Sequence, residues 1–296
     1  MWIKNAKIYR FTEPFSLTAM DMNPMLEAHA FQPCSSIEVM SRGFVSPNGQ
    51  ENGELTYVAN GFTLVCLKLE EKIVPGAVIK EQLDAKIAEI KSKGGKVTKK
   101  EKENFKEEIM HTLVTRAFSK VSKTFGYIDA AEGLLIIDAS SDSKAEAFMV
   151  ALRKALGSLK VEIPKVQDVQ LLLTDWVKKN DYPPEFTIGD SGVLVDLKEG
   201  GTVRCKRKSF FTGEFEILIA EGCLISELGM SYQEQLSFTL KEDFSIKGIK
   251  FLEIIQDQAR DVHTETEAGR FDADFTIMTE TMRGLIKDLF KTFEVG

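Results

Sequence analysis

A chain of 296 residues is long enough to bury a large hydrophobic core and to form one large domain or two to three smaller ones. Its 43% hydrophobic and 28% charged residues are typical of a globular protein, and no apolar run is long enough for a transmembrane helix. The formal net charge of −7 argues against a uniformly basic nucleic-acid binder, so any surface that binds a polyanion has to be local.

The N-terminal residues and the cysteines bear on location and cofactors. The N-terminal residues lack the apolar core and cleavage site of a signal peptide, which predicts a cytoplasmic protein. The four cysteines lie far apart without a CxxC pair, so we expect buried thiols and neither disulfides nor a zinc site. These residues are Cys34, Cys66, Cys205 and Cys223. We accordingly expect no cofactor.

The first third of the chain is predicted to be mixed α/β. Residues 6–11 have strand character, and residues 20–31 are compatible with a short helix despite Pro24. Residues 55–69 are predicted to form two strands joined by a tight Asn60-Gly61 turn.

The pattern changes to helix after Pro75. One apolar stripe has the spacing of a helix face and consists of Ile79, Leu83, Ile87 and Ile90. Gly94-Gly95 is expected to end this helix, and Thr98 with Glu101 fits the capping box that begins the next one. That helix is predicted to be about 25 residues and roughly 37 Å long, with a stripe of Phe105, Ile109, Leu113, Ala117 and Val121.

Together these two segments predict an antiparallel helical hairpin with a basic tip. The turn carries Lys91, Lys93, Lys96, Lys99, Lys100 and Lys102. Residues 91–123 contain ten Lys or Arg against four Glu, in a protein whose net charge is −7. One interpretation is a solvated loop. The other is a projecting arm that places point charges against phosphate groups, a task that lysine suits because backbone contacts need charge and reach.

Sheet elements resume after the hairpin. Residues 125–140 are predicted to form a β-hairpin around Glu132-Gly133, and residues 143–156 a helix that Gly157 closes. The helical hairpin is therefore inserted between sheet elements. The predicted organisation is a central α+β domain of residues 1–74 and 125–164, an arm of residues 75–124, and a C-terminal α+β domain of residues 165–296.

The C-terminal part is also predicted to mix strands and helices, which makes the fold α+β overall. The predicted elements are a helix over 169–179, a linker over 182–186, a strand over 200–210, a helix or strand over 215–222, two or three strands over 223–255, and a strand that passes into an amphipathic helix over 270–293.

A second basic segment consists of Arg204, Lys206, Arg207 and Lys208. On a strand, Arg204, Lys206 and Lys208 would share one face and could contact phosphates. The alternative is a solvated edge strand that its charges protect from aggregation. Since no aromatic residue lies between these charges, base stacking is not indicated, and binding would be directed to the backbone and tolerant of sequence.

Two acidic residues allow an enzymatic hypothesis. Asp272 and Asp274 are two residues apart, so on a strand both carboxylates would face the same way, as the divalent metal of a nuclease requires. His263 offers a further ligand. The alternative is a structural role in which these acids pair with Arg270 or cap a turn.

Phe118 is a candidate contact residue near the foot of the predicted arm. At the edge of the apolar stripe its ring would belong either to the local core or to a protein–protein contact.

Several sequence blocks together resemble the RdgC family of bacterial recombination-associated proteins. In chain order they are "MWIKNAKIYR", "FQPC", "YVANG", "EEKIVPGAVIKEQLDAKIAEI", the lysine-rich turn, "RAFSK", "ALRKALGSL" and "RFDADFTIMT". They span nearly the whole chain, and residues 180–260 carry the least resemblance.

The resemblance implies a nucleoid-associated, cytoplasmic DNA-binding protein without enzymatic activity. It implies a ring-shaped homodimer that encircles duplex DNA with little sequence preference, with single-stranded DNA as a second candidate ligand and no membrane partner. Such a protein restrains recombinase access during recombination and replication-fork repair. By the same resemblance, Phe118 lies at or near a dimer contact, and the arm lysines are Lys93, Lys96, Lys99, Lys100 and Lys102. The other hypotheses are a metal-dependent nuclease and a protein-interaction scaffold.

Overall fold

The computed structural model describes residues 1–198, 200–261 and 266–295. Over these ranges the first half of the chain contains β1 (Asn5–Phe11), α1 (Ala19–Glu27), β2 (Met40–Val45), β3 (Thr56–Ala59), β4 (Phe62–Lys72), α2 (Gly76–Ser92), α3 (Lys99–Val114), β5 (Ser119–Asp129), β6 (Leu134–Ile137) and α4 (Asp142–Leu156). The second half contains β7 (Val161–Glu162), α5 (Val169–Lys179), β8 (Phe186–Asp196), β9 (Thr202–Cys205), α6 (Gly213–Ala220), β10 (Cys223–Tyr232), β11 (Leu236–Lys241), β12 (Ile246–Phe251), α7 (Glu253–Asp261) and α8 (Glu267–Thr292). The mixed α+β class is confirmed.

One antiparallel sheet runs through both halves of the chain. Its strand order is β2-β4-β5-β6-β1-β12-β11-β10-β8-β9, with β3 paired to β4 and β7 to β1. The two halves meet where β1 pairs with β12, through only Asn5 opposite Lys247 and Ala6 opposite Ile246. The proposed domain boundaries at residues 75, 125 and 165 stay predictions.

Helices cover the two faces of the sheet unequally. On one face a large core joins strands from both halves to α5, α6 and α8, with Phe62, Tyr127, Leu228 and Phe275 among its buried residues. On the other face α1 and α4 cover the N-terminal strands, and Phe148 of α4 packs there. Because side chains alternate along a strand, the N-terminal strands are buried on both faces.

Several predicted turns and helix ends are confirmed. Asn60 and Gly61 both have positive φ in the turn between β3 and β4, and Gly133 does so between β5 and β6. Helix α1 accommodates Pro24 in its interior and begins with a Thr18 capping box. Gly157 closes α4 with a φ of 75°.

The predicted second helix of the hairpin is wrong in length. Helix α3 ends at Val114, with Thr115 as its C-cap, so it spans 16 residues and about 24 Å. From Ser119 onward the chain is strand β5, in which Val121 pairs opposite Glu70. β5 forms a ladder of eleven residue pairs with β4, so pairing with a distant strand overrides the local helical spacing here.

The predicted strand at residues 270 onward is also wrong. Residues 267–292 form one helix, α8, capped by Thr266, whose side chain accepts a hydrogen bond from the Gly269 amide. Its buried Phe275, Met278, Met282 and Leu285 recur at steps of four and three, which is the helical period. Residues 213–220, which the sequence left as helix or strand, form helix α6.

The cysteines are free thiols. Cys66, Cys205 and Cys223 are buried as expected, whereas Cys34 is only partly buried. Among the described helices, none is both long and apolar enough to cross a membrane.

Ion pairs from the buried Lys7 to two more exposed carboxylates reinforce the junction between the two halves. The Lys7 ammonium, on β1, lies 2.6 Å from an Asp142 oxygen at the start of α4 and 2.8 Å from Asp243, between β11 and β12. Burial alone would raise the pKa of Asp243, but hydrogen bonds from Lys7 and Ser245 lower it to about 2. Burial would likewise lower the pKa of Lys7, but its two carboxylate partners raise it.

This network predicts a pH-dependent contribution to stability. The depressed pKa of Asp243 stabilises the fold above the unfolded value of about 3.9, and that contribution is lost as the pH falls through about 2. Asp243→Asn should lower the free energy of unfolding by about 1 kcal/mol at pH 7, discounted for the partial exposure of the carboxylate. Urea unfolding at a series of pH values should show this difference shrinking between about pH 4 and pH 2. Asp142→Asn, whose carboxylate is mostly exposed, is the control with the smaller effect. A difference independent of pH would contradict the assignment.

Candidate nucleic-acid interface

Helices α2 and α3 pack against each other through a small core of their own. Ile79, Leu83 and Ile109 are buried between them, and Ile87, Phe105 and Leu113 pack against these residues. The Lys86 ammonium lies 2.5 Å from Glu108 and 4.4 Å from the centre of the Phe105 ring. The helix pair connects the end of β4 to the start of β5, where Lys72 pairs opposite Ser119.

The turn between the two helices depends on its two glycines. Gly94 has a φ of 79°, a conformation that favours glycine. Its amide donates to the Lys91 carbonyl, and the Gly95 amide donates to Ile90, which closes the helix end. A β-carbon on Gly95 would lie 2.7 Å from an Ile90 side-chain carbon. The Gly-Gly pair therefore fixes a tight and specific turn.

The predicted capping box at the start of α3 is confirmed. The Glu101 carboxylate accepts a hydrogen bond from the Thr98 amide at 2.8 Å, and the Thr98 hydroxyl oxygen accepts one from the Glu101 amide. These hydrogen bonds lower the pKa of Glu101. The box orders the backbone directly beside Lys99 and Lys100, so these lysines extend from a fixed helical start.

The lysines at this turn are exposed and mostly without acidic partners. All five arm lysines, namely Lys93, Lys96, Lys99, Lys100 and Lys102, are exposed. Lys93 pairs with Glu89 one helical turn earlier, at 2.6 Å. Among the described residues, no carboxylate lies within 4 Å of the other four ammonium groups. This cluster therefore presents uncompensated positive charge to solvent.

The second basic segment does not form the predicted strand face. Strand β9 ends at Cys205, so Arg204 is on the strand but Lys206 and Lys208 are beyond it. Arg207 has a φ of 56°, and the Lys208 amide donates to the Asp190 carbonyl as the chain turns. The Lys208 ammonium pairs with Glu214. The alternation that would align Arg204, Lys206 and Lys208 is therefore lost, although Arg204, Lys206, Arg207 and Lys208 are all exposed.

The two basic segments lie toward opposite ends of the sheet. The helix pair follows β4 and precedes β5, near one end, whereas β9 is the terminal strand at the other end. Seven strand spacings separate β5 from β9, which is about 34 Å before twist is considered. The segments therefore do not form one continuous patch within a single chain.

Phe118 lies between α3 and β5 rather than on a helix. Its side chain is 85% exposed, and its carbonyl accepts a hydrogen bond from the Ile73 amide. Ile73, which directly follows β4, and Val121 of β5 are each about half exposed. The local-core interpretation of Phe118 is therefore wrong, and its ring is available for a contact with another molecule.

Asp272 and Asp274 do not form a paired metal site. Both lie on α8, where residues two apart point in different directions. Asp272 accepts a 2.6 Å hydrogen bond from the Tyr57 hydroxyl, and Asp274 lies 2.7 Å from the N-terminal ammonium of Met1. The described ranges contain no convergent group of three His, Cys, Asp or Glu side chains. The other proposed ligand, His263, lies outside the described residues.

Among the described residues, Arg270 forms no ion pair with Asp272 or Asp274, whose partners are Tyr57 and Met1. The buried acid that does pair with an arginine is Asp129. A different arginine, Arg283 of α8, forms a two-pronged ion pair with the buried Asp129 of β5, at 2.7 and 3.0 Å. Its guanidinium also lies 4.0 Å from the centre of the Phe62 ring. Nothing in the sequence around Asp129 distinguishes it from a turn residue, so this pair was not predictable.

Sequence reasoning also missed basic residues on the strands beside the helix pair. Lys68 of β4 and Lys123 of β5 are directly opposite each other in the ladder. The Lys68 ammonium lies 4.1 Å from the centre of the Phe31 ring, and both lysines line a cavity of about 590 Å³. Two like charges opposite each other cost stability. The sequence offered one signal for this pairing. Lys68 lies four residues before the end of β4, and Lys123 lies four residues after the start of β5.

The chain is thus an α+β protein built on one long antiparallel sheet, with a packed helix pair that carries exposed lysines. A family model described as "Putative exonuclease, RdgC" matches residues 1–295, so the chain belongs to the RdgC family. The Recombination-associated protein RdgC of Aeromonas hydrophila subsp. hydrophila is 41% identical over 293 residues, which cover 98% of this chain and 97% of that protein.

Proteins of the same name from two Yersinia species are similarly related. Those of Yersinia enterocolitica and Yersinia pestis are each 38% identical over 294 residues, covering 98% of this chain and 97% of the relative. The resemblance drawn from the sequence blocks is therefore confirmed at the level of the family. The relatives' names describe recombination-associated proteins and the family description names an exonuclease, so the absence of enzymatic activity stays a prediction.

The contact between Tyr57 and Asp272 predicts a structural role for this carboxylate. Burial first, and the Asp272 bond second, raise the pKa of Tyr57, so the hydroxyl stays protonated as a donor. Tyr57→Phe and Asp272→Asn should each lower the free energy of unfolding by about 1 kcal/mol, and the double variant by little more than either. Thermal unfolding measures both effects. If excess Mg²⁺ raises the Tm of the wild-type protein but not of Asp272→Asn, the carboxylate is a metal ligand instead.

Proposed function

We propose that this protein binds DNA through the phosphate backbone, without sequence preference, and acts as a ring-shaped homodimer that encircles the duplex. The observation that carries the proposal is the cluster of exposed lysines at the α2–α3 turn, of which four have no acidic partner among the described residues. Point charges on a rigid turn can approach phosphates while the acidic remainder of the surface stays away from them.

The position of the two basic segments supports encirclement. A single chain carries basic residues toward both ends of its long sheet, about 34 Å apart before twist. Two chains related by a two-fold axis would present each segment twice around a central duplex. In this proposal Arg204, Lys206 and Arg207 contribute charge at one end and the arm lysines at the other.

Family membership supports a role in recombination. The relatives are named as recombination-associated proteins. A protein that occupies duplex DNA regardless of sequence competes with a recombinase for the same backbone. We therefore propose that it restrains recombinase access during recombination and replication-fork repair, in the nucleoid of the cytoplasm.

The arm lysines predict a steep salt dependence of DNA binding. Fluorescence anisotropy of a short duplex of random sequence, titrated over salt, measures the slope of log K against log salt. Each phosphate contact contributes about −0.9 to this slope. Replacing Lys93, Lys96, Lys99, Lys100 and Lys102 with alanine should reduce its magnitude by about 4.5 and weaken binding to all sequences alike.

A charge-matched variant is the control for this experiment. It replaces five exposed basic residues outside the proposed contacts with alanine, namely Arg153, Lys154, Lys165, Lys178 and Lys291. This variant has the same net charge as the arm variant, so it separates a local contact from a general effect of charge. If both variants keep the full wild-type slope, the arm is not a DNA contact.

Phe118 predicts a role in dimer formation. Burying an aromatic side chain of this size stabilises an interface by roughly 2–3 kcal/mol, so Phe118→Ala should shift sedimentation velocity toward the monomer. Met20→Ala removes a side chain that is 87% exposed on α1 and is the matched control. An unchanged dimer in Phe118→Ala would remove this residue from the contact.

The nuclease hypothesis rests now on the family description alone, because the Asp272–Asp274 arrangement that suggested it does not form. Magnesium-dependent cleavage of a labelled duplex that is abolished by Asp272→Asn would restore it. A protein-interaction scaffold would instead show no DNA binding at low salt.

A further inference from the structure

The C-terminal half of the sheet has one face that is solvent-accessible and polar. Strands β10 and β11 bury Leu228, Met230, Leu236, Phe238 and Leu240 in the core with α5 and α8. Residues that alternate with these point to the opposite side. That side carries a set of residues, hereafter the hydroxyl–lysine face, that consists of Thr187, Ser231, Ser237, Thr239, Lys247 and Lys250. Thr187 and Lys250 are exposed, and the other four are partly buried.

Cross-strand pairing arranges these residues in two rows. In one row Thr187 is opposite Ser231, Ser231 is opposite Ser237, and Ser237 is opposite Lys250. In the next row Gly229 is opposite Thr239, and Thr239 is opposite Lys247. Directly opposed residues share a face of the sheet. Each row is therefore a line of small or hydroxyl side chains that reaches one lysine on β12, and the second row continues to Asn5 of β1, opposite Lys247.

An irregularity at Gly248 places both lysines on this face. Lys247 and Lys250 are three residues apart, so a regular strand would point them to opposite faces. The register of β11 and β12 shifts between Ser237 and Thr239, and Gly248 has a φ of 61°. This bulge adds one residue to β12, and only because of it do both ammonium groups extend over the same surface. Ile246, Ile249 and Phe251 remain in the core.

The charge of this face is positive. Among the described residues, no carboxylate lies within 4 Å of the Lys247 or Lys250 ammonium. In the adjoining row Glu227 pairs with Lys241 at 3.5 Å, and Arg204 of β9 is opposite Val193 on the same side. At the β1 margin the Asp138 carboxylate accepts hydrogen bonds from Asn5. At the β8 margin Asp190 is an exposed acidic residue.

The side chains of this face select the kind of ligand. None of its six residues is aromatic or a large aliphatic residue, so it lacks both the anchors of a protein–protein interface and a platform for stacked bases. Hydroxyl groups and lysines are the side chains that contact phosphate and sugar in protein–DNA complexes. A flat surface of small residues also lets a sugar–phosphate backbone approach closely.

We propose that the hydroxyl–lysine face is a second binding surface for the DNA backbone, separate from the α2–α3 turn and from residues 206–208. Lys247 and Lys250 each neutralise one phosphate, and the serine and threonine hydroxyls between them donate hydrogen bonds to phosphate oxygens. This inference rests on the proposed DNA-binding function and identifies the part of the sheet that faces the duplex.

The test is the salt dependence of duplex binding by Lys247→Ala/Lys250→Ala. Loss of two phosphate contacts should reduce the magnitude of the slope of log K against log salt by about 1.8 and lower the affinity roughly tenfold or more at about 0.1 M salt. The matched control is Lys178→Ala/Lys291→Ala, which removes the same charge from α5 and α8, the helices that pack on the opposite face. The control should bind like the wild-type protein.

The hydroxyls and the lysines have separate readouts. Ser237→Ala/Thr239→Val leaves the charge unchanged, so it should weaken binding several-fold while the salt slope stays at its wild-type value. In addition, a short duplex should slow acetylation of Lys247 and Lys250 by an amine-reactive reagent, measured by mass spectrometry, and leave Lys178 unprotected.

The outcomes separate this inference from the proposed function. If the wild-type protein binds DNA with a steep slope and the Lys247→Ala/Lys250→Ala variant binds identically, the face is excluded and the function stands. Equal losses in this variant and in its control would also exclude it, because the effect would be one of net charge. If the wild-type protein does not bind DNA at low salt, the function fails and the face has no ligand.

Discussion

The continuity of the sheet depends on a junction of two residue pairs between β1 and β12. One further backbone hydrogen bond, from the Ile249 amide to the Lys4 carbonyl, lies beside this junction, and side chains and helix α8 add contacts behind it. A ladder this short is weak by itself, and the buried Lys7 with its two carboxylates adds polar contacts that are intolerant of changed geometry. The Arg283–Asp129 pair attaches α8 to the N-terminal strands in the same manner. The relative position of the two halves, and with it the distance between the basic segments, depends on the hydrophobic core that they share and on these charged contacts.

Part of the positive charge of this acidic protein is clustered. Exposed lysines lie close together at the α2–α3 turn, and Lys247 and Lys250 share one face of the C-terminal sheet. At the turn the glycine pair and the capping box fix the backbone, so the positive charges are held on ordered structure. In the sheet, the hydrogen bonds between β11 and β12 hold the backbone of Lys247 and Lys250 in place. Because the ordering cost has been met during folding, less conformational entropy is lost when an anion binds.

Local patterns in the sequence predicted local structure well. The Asn60-Gly61 turn, the Thr98 capping box and the end of α4 at Gly157 each depend on a few adjacent residues, and all three were confirmed. The predictions were wrong where contacts with residues distant in the sequence determine the secondary structure. Val121 fits a helical stripe but pairs with β4, and "RFDADF" alternates like a strand but continues the buried stripe of α8. Tyr57 and Met1, which bind the two aspartates there, are more than two hundred residues away.

The candidate site shows the same contrast between local and long-range features. The lysines of the turn are contiguous in the sequence, whereas the hydroxyl–lysine face comes from four strands and from a register shift that no local pattern reveals. That shift depends on Gly248, the extra residue of the bulge in β12. A substitution at Gly248 that removed the bulge but kept the residue would retain every lysine and the net charge, yet Lys250 would turn toward the interior and Ile249 toward the solvent. Deletion of Gly248 would instead leave Lys247 and Lys250 two residues apart on a regular strand, facing the same side. For this surface, the number of residues between two charges matters as much as the charges themselves, so substitutions and deletions belong to different classes of damage.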